Sequence, residues 1–170
     1  MTGGRRASGI VAALLGGLLA AACGFHMRGQ ATLPFATLHV EGSTPLAVEL
    51  KRNLAAGTRT RLVDSAKNAE ATLGFTQELR EKVILSLDSA GRVREFQLRY
   101  RVGFRLTDAK GRDTIPANEI MLTRDISFND AQILAKESEE ALLYRDMQSD
   151  LVQQIMRRLA AARPPKPAAR

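Results

Sequence analysis

The chain has 170 residues, of which 45% are hydrophobic and 25% are charged, so it predicts a single globular domain that buries its core without disulfides. The only cysteine is Cys23, which excludes an intramolecular disulfide, and the formal net charge is +7 with a sequence pI near 10.2. A cytoplasmic chain this basic would suit nucleic acid, but the first residues argue against that location.

Residues 1–22 have the three parts of a secretory signal. Arg5 and Arg6 form a charged start, and residues 10–22 form an apolar run of 13 residues that ends in small side chains. Such a run is too short to span a bilayer, which needs about 20 residues. We therefore expect residues 1–22 to be cleaved, and we find no later segment long enough for a membrane-spanning helix.

The sequence LAAAC at residues 19–23 resembles the lipobox of bacterial lipoproteins, in which cleavage precedes a cysteine that then carries acyl and diacylglycerol groups. The usual leucine three places before the cysteine is Ala20 here, with Leu19 one place further out. The resemblance implies a membrane anchor on Cys23; the alternative is an ordinary signal that leaves a free thiol. Gly24 is not the aspartate that retains enteric lipoproteins in the inner membrane, which favours the outer membrane.

Two short strands, at residues 37–41 and 60–64, flank a predicted helix at residues 44–57. Thr44 suits the N-cap, and Gly57 suits the residue that follows the last helical turn. Leucines at i+4 spacing share one face of this helix: Leu46, Leu50 and Leu54.

Three long strands follow, joined by the turn sequences DSAGR and DAKGRD. Residues 96–106 alternate apolar and polar side chains without a break, which predicts a half-buried antiparallel strand. Residues 71–87 predict a second strand, bent or bulged near residues 77–81. Ile120, Leu122, Ile126 and Phe128 share one parity and predict the third.

A long predicted helix is capped by Asn129 or Asp130. The predicted buried face of this helix comprises Leu134, Ala141, Tyr144, Leu151, Val152, Ile155 and Leu159. Residues 163–170 form a basic, proline-rich tail that we expect to be disordered. This order of elements predicts an α+β two-layer sandwich, with two helices on one face of a mostly antiparallel sheet of about four strands. The predicted core comprises Phe75, Val83, Leu85, Leu98, Tyr100, Val102, Phe104, Leu151, Val152 and Ile155.

The sequence contains no catalytic or metal-binding motif, so we expect no enzyme and no cofactor other than the lipid groups on Cys23. Basic residues are the candidate ligand-binding features. Arg99, Arg101 and Arg105 form a stripe on the open sheet face, which is either a solvated surface or a site for an anionic ligand or partner. Arg92 and Arg94 either solvate a turn or bind an anion. Lys136 opposes the helix dipole, so helix stability does not require it; it is an ordinary exposed lysine, an i,i+4 partner of Glu140, or a ligand contact.

Three segments resemble the lipopolysaccharide-assembly lipoprotein family LptE, also called RlpB. They are CGFHMRG at residues 23–29, REFQLRYRV at residues 94–102, and ISFNDAQILAKESEEALLYRDMQSDLVQQIMRRL at residues 126–159. The resemblance implies a domain over residues 23–162 that is anchored to the periplasmic face of the outer membrane. It also implies a β-barrel partner, LptD, in which the lipoprotein acts as plug and assembly factor while lipopolysaccharide is inserted into the outer leaflet.

The family's proposed lipopolysaccharide contacts are basic residues at a strand hairpin and at the start of the last helix. Lys136 in LAKE matches the second position, whereas alignment on EFQ places Ser89 at the first, with Arg92 and Arg94 just beyond it. The resemblance therefore implies Lys136, Arg92 and Arg94 as candidate lipopolysaccharide contacts.

Two other functions remain open from the sequence. One is a lipoprotein accessory of an ABC-type envelope lipid transporter, which would have a similar anchored shape but no barrel partner. The other is an envelope hydrolase, which would need a nucleophile that the sequence does not display. A detergent-stable complex with a β-barrel would distinguish the lipopolysaccharide-assembly function from both alternatives.

Overall fold

A computed structural model describes residues 32–163. In chain order, its helices and strands are β1 (Thr37–Val40), α1 (Pro45–Gly57), β2 (Arg61–Leu62), β3 (Ala71–Leu87), β4 (Val93–Asp108), β5 (Asp113–Ser127) and α2 (Ile133–Ala160). The predicted signal peptide, Cys23 and residues 164–170 lie outside the described residues. Within residues 32–163, no helix is both long and apolar enough to cross a membrane.

The strands form one sheet in the order β2-β1-β3-β4-β5. β1 is parallel to β2 and β3, whereas the three long strands are antiparallel to one another. The α+β class is confirmed; the sheet has five strands rather than about four because the two residues of β2 also pair with β1. We call the end closed by the β3–β4 hairpin the distal end, and the end that holds β1 and the β4–β5 hairpin the proximal end.

Both helices pack on one face of the sheet and enclose a single hydrophobic core. Thr44 caps α1, since its hydroxyl accepts a hydrogen bond of 3.3 Å from the amide of Ala47. Gly57 is the last residue of α1 rather than the residue after it, and Thr58 ends the helix. Seven predicted core residues are fully buried, which confirms that part of the core: Leu98, Tyr100, Val102, Phe104, Leu151, Val152 and Ile155.

The predicted bounds of β3 are confirmed, but the predicted core residues beyond Phe75 are wrong, because the strand bulges at Thr76, just before the predicted residues 77–81. One extra residue in a strand moves every later side chain to the opposite face. Val83 therefore lies on the open face, half-buried, and Leu85, at a second bulge, is 46% exposed. Phe75 precedes the bulge and packs, half-buried, against the core. Gly103 makes room for the first bulge, since a Cβ there would collide with the Thr76 hydroxyl.

The first half of α2 also differs from the prediction. Leu134 is 79% exposed, Ala141 is exposed, and the first buried residue of the helix is Met147. Beyond its bulge, β3 turns polar side chains toward α2, where Arg80 binds Gln148 and Lys82 binds Glu140. Asn129 caps a 3-10 turn that precedes the helix, accepting a hydrogen bond of 3.0 Å from the amide of Ala131.

Candidate functional site at the distal end

A polar network joins the distal half of the sheet to α2. Arg80 donates hydrogen bonds to the Tyr100 hydroxyl at 3.0 Å and to Gln148 Oε1 at 2.8 Å, and its guanidinium lies 4.5 Å from the centre of the Tyr100 ring. Tyr100 donates in turn to Glu78 Oε1 at 2.6 Å. Burial, reinforced by the bond to Glu78, raises the pKa of Tyr100 to about 12. The distal half thus contacts its helix through charged and aromatic groups.

Next to this network, a cavity of about 190 Å³ opens between α2 and the distal ends of the strands. We call it the distal cavity; its lining residues are Lys82, Phe96, Ile126, Ser127, Phe128, Ile133, Lys136, Glu137 and Glu140. The rings of Phe96 and Phe128 meet edge to face with their centroids 5.2 Å apart. The cavity therefore combines an aromatic wall with two ammonium groups.

Lys136, the candidate from the last helix, lies at this cavity with its side chain only 17% exposed. Its ammonium donates to Ser127 Oγ and to Glu139 Oε2, both at 2.9 Å. The expected alternative partner, Glu140, instead pairs with Lys82 at 2.6 Å. Each lysine of the cavity thus has one carboxylate that an incoming anion must displace.

Lys82 is the site residue that the sequence analysis missed. It pairs in register with Leu98 on the core face, and its ammonium lies 4.4 Å from the centre of the Phe96 ring. Simple alternation along β3 assigned it to solvent, and only a bulge moves it under α2. The available signal was the predicted bulge near residues 77–81, because a bulge reverses the face of every later residue, including Lys82.

The two hairpin arginines have different surroundings. Arg92 binds Asp88, with its Nε donating to Oδ2 at 2.9 Å, so this arginine stabilises its own turn. Arg94 is exposed and shares a strand face with Phe96, two residues further on, so it lies on the side of the sheet that carries the cavity. Arg94 is therefore freer than Arg92 to contact a ligand there.

The arginine stripe lies on the open face, as its alternation predicts. Arg101 lies between Glu81 at 3.9 Å and Glu119 at 3.7 Å, and Arg99 donates to Gln97 Oε1 at 2.9 Å. Arg105 is exposed. The carboxylates balance much of the positive charge, so this face carries mixed charge rather than a uniformly basic surface. Within residues 32–163, no group of three His, Cys, Asp or Glu side chains is placed to hold a metal ion.

Solved structures of bacterial lipoproteins are similar to this chain. "Uncharacterized lipoprotein B" from Nitrosomonas europaea, solved in solution by NMR, is 46% identical, with a TM-score of 0.72 over 81% of this chain and 91% of that one. Rare lipoprotein B from Shewanella oneidensis is 24% identical, with a TM-score of 0.64 over 74% of this chain and 94% of that one. A minor lipoprotein from Acinetobacter baumannii is 23% identical, with a TM-score of 0.59 over 79% of this chain and 98% of that one.

None of the curated proteins compared with the chain matches it. The family model described as "LptE: Lipopolysaccharide-assembly" matches residues 35–159, which cover all of the strands and all but the last residue of α2. The match spans most of the chain and agrees with the lipoprotein of 46% identity. The chain therefore belongs to the lipopolysaccharide-assembly lipoprotein family LptE.

Proposed function

We propose that this chain is an outer-membrane lipoprotein that works with the β-barrel LptD to insert lipopolysaccharide into the outer leaflet. The observation that carries the proposal is the family match over residues 35–159, together with a cavity at the distal end that combines aromatic rings with Lys82 and Lys136. In this proposal the lipid groups on Cys23 hold the chain to the periplasmic face of the membrane. The chain acts by binding and positioning, without catalysis.

Lipopolysaccharide carries phosphates, which bind to ammonium and guanidinium groups. The proposed contacts are Lys136 and Lys82 at the cavity and Arg94 beside it, with Arg92 as a weaker candidate because Asp88 already binds it. A phosphate that reaches Lys136 replaces Glu139, and one that reaches Lys82 replaces Glu140. This exchange keeps each ammonium paired both before and after binding.

The open face is the part of the molecule that we assign to the barrel. The lumen of a membrane β-barrel is polar, so a surface of mixed charge suits it better than an apolar one. This face carries Arg99, Arg101 and Arg105, and Arg101 lies within 4 Å of the carboxylates of Glu81 and Glu119. In the proposed complex they contact polar groups of the barrel wall.

Charge reversal at the distal end tests lipopolysaccharide binding. Lys136→Asp with Arg92→Asp should weaken binding at least tenfold, because charge-assisted hydrogen bonds contribute about 1.5–3 kcal/mol each. High salt should reduce this difference through screening. The matched control is Lys110→Asp with Arg112→Asp in the proximal hairpin, which should bind like the unmodified chain. Equal losses in both double variants would contradict a distal site.

Co-purification in mild detergent tests the partner. The proposal expects a stable complex with a large β-barrel, and reversal of Arg99, Arg101 and Arg105 should weaken that complex more than lipopolysaccharide binding. Recovery of an ABC-type transporter without a barrel would favour the alternative function.

Mass spectrometry of the N-terminal peptide tests the anchor, and an unmodified Cys23 thiol would reject it.

A further inference from the structure

Four large apolar residues line the distal cavity beside its lysines and glutamates, and a phosphate site does not need them. Ile126 is 4% exposed, and the Phe96–Phe128 pair lines the cavity beside Ile133. Ile84 pairs in register with Phe96 and is 58% exposed, while Ile133 is 47% exposed at its place on the cavity wall. Large apolar side chains left exposed beside a cavity indicate a ligand with an apolar part.

The charges of the cavity are balanced before any ligand arrives. Lys82 and Lys136 pair with Glu140 and Glu139, so a small anion gains little beyond the ion pairs that it replaces. An alkyl chain that fills the apolar part of the cavity removes apolar surface from water, which a small anion cannot do. The contacts therefore favour a ligand that has both an anionic head and an apolar chain.

The volume of the cavity limits the length of alkyl chain that can enter it. An apolar cavity of about 150 Å³ is large enough to hold a benzene molecule. The distal cavity, at about 190 Å³, therefore accommodates one short stretch of a single chain and not a whole lipid. Ile84 offers apolar contact for the part that remains outside.

We propose that the distal cavity takes the end of one alkyl chain of a phosphorylated amphiphile, with its head near Lys82 and Lys136. This inference rests on the proposed function and deepens it, because it assigns a separate place to the apolar part of the ligand. It makes the affinity of the site depend on chain length as well as on charge.

Alkyl phosphates from butyl to decyl, kept below their micelle concentrations, test the proposal by calorimetry, with inorganic phosphate as the headgroup alone. The protein is the chain from residue 23 onward with Cys23→Ser, since a relative of 46% identity was solved in solution. Affinity should rise about fourfold per methylene, which corresponds to about 0.8 kcal/mol per buried CH₂, and then level off when the cavity is full. Affinity that is the same for inorganic phosphate and every alkyl phosphate would overturn the proposal.

Two cavity variants and one control locate the chain. Ile133→Trp should block the cavity and flatten the dependence on chain length, whereas Phe128→Ala should shift the plateau to longer chains. Val48→Trp, at an exposed position on α1, should behave like the unmodified chain. Circular dichroism confirms folding of each variant. An unchanged series in both cavity variants would overturn the proposal.

The same measurements separate this inference from the proposed function. Chain-length dependence without any binding of lipopolysaccharide would support the cavity assignment and reject the proposed function. Binding of lipopolysaccharide without chain-length dependence would support the function and reject the cavity assignment.

Discussion

Two hairpins with the same sequence pattern close opposite ends of the sheet. In DSAGR and in DAKGR, the aspartate Oδ1 accepts hydrogen bonds from two backbone amides, and the arginine Nε donates to Oδ2. Both glycines adopt a positive φ, +77° at Gly91 and +75° at Gly111, which side chains rarely allow. The two turns are thus nearly identical pieces of local structure.

The surroundings of the two hairpins differ completely. Beside the distal hairpin lie two lysines, an aromatic pair and a cavity. Near the proximal hairpin, by contrast, β4 contributes the fully buried Phe104 and Leu106 to the core. Since Arg112 makes the same contact as Arg92 at an end without this cavity, the turn explains that contact by itself. The function proposed for the distal end therefore depends on the residues around the hairpin and not on the hairpin pattern.

The largest expected effect compares the two ends of α2. Ile155→Ala, at a fully buried site in the proximal half, should lower the free energy of unfolding by about 2–5 kcal/mol. Leu134→Ala, at a site 79% exposed in the distal half, should change it by less than about 0.5 kcal/mol. Urea unfolding measures both, and similar losses would show that the distal half of α2 is packed after all.

A smaller effect should appear at alkaline pH and only in the distal half. Folding raises the pKa of Tyr100 from 10.0 to about 12, so its neutral form stabilises the fold below pH 10 and this contribution is lost as the pH rises toward 12. The two-unit shift corresponds to about 2–3 kcal/mol. Tyr100→Phe should remove this step from the curve of stability against pH, and an unchanged alkaline slope would contradict it.

The smallest effect compares the hairpins directly. The backbone amide of Arg92 lowers the pKa of Asp88, and that of Arg112 does the same for Asp108. A lowered pKa contributes stability above the unfolded value near 4, which disappears as the pH falls through the folded value. Asp88→Asn and Asp108→Asn should therefore lower Tm equally at neutral pH and have little effect in acid. Unequal shifts would show that the two turns are not equivalent.

The sequence alone predicts the buried side chains correctly wherever a strand keeps its alternation of core-facing and outward-facing residues. The even residues of β4 from Leu98 to Leu106 are buried as predicted, because no bulge interrupts that stretch before its last residue. On β3 the same rule failed after Thr76, since the position of a bulge depends on the neighbouring strand, where Gly103 makes room. Lys82 was missed for this reason, whereas Lys136 lies at the cavity because helix start and strand ends meet there.

The unbroken run of β4 also sets a length for the molecule. Its 16 residues, at about 3.3 Å each, span about 50 Å between the two hairpins. The hydrocarbon core of a bilayer is only about 30 Å thick. Residues 33–40 lie at the proximal end, so the described part of the chain that is nearest in sequence to Cys23 and the distal cavity lie at opposite ends of a sheet that is longer than a bilayer core is thick.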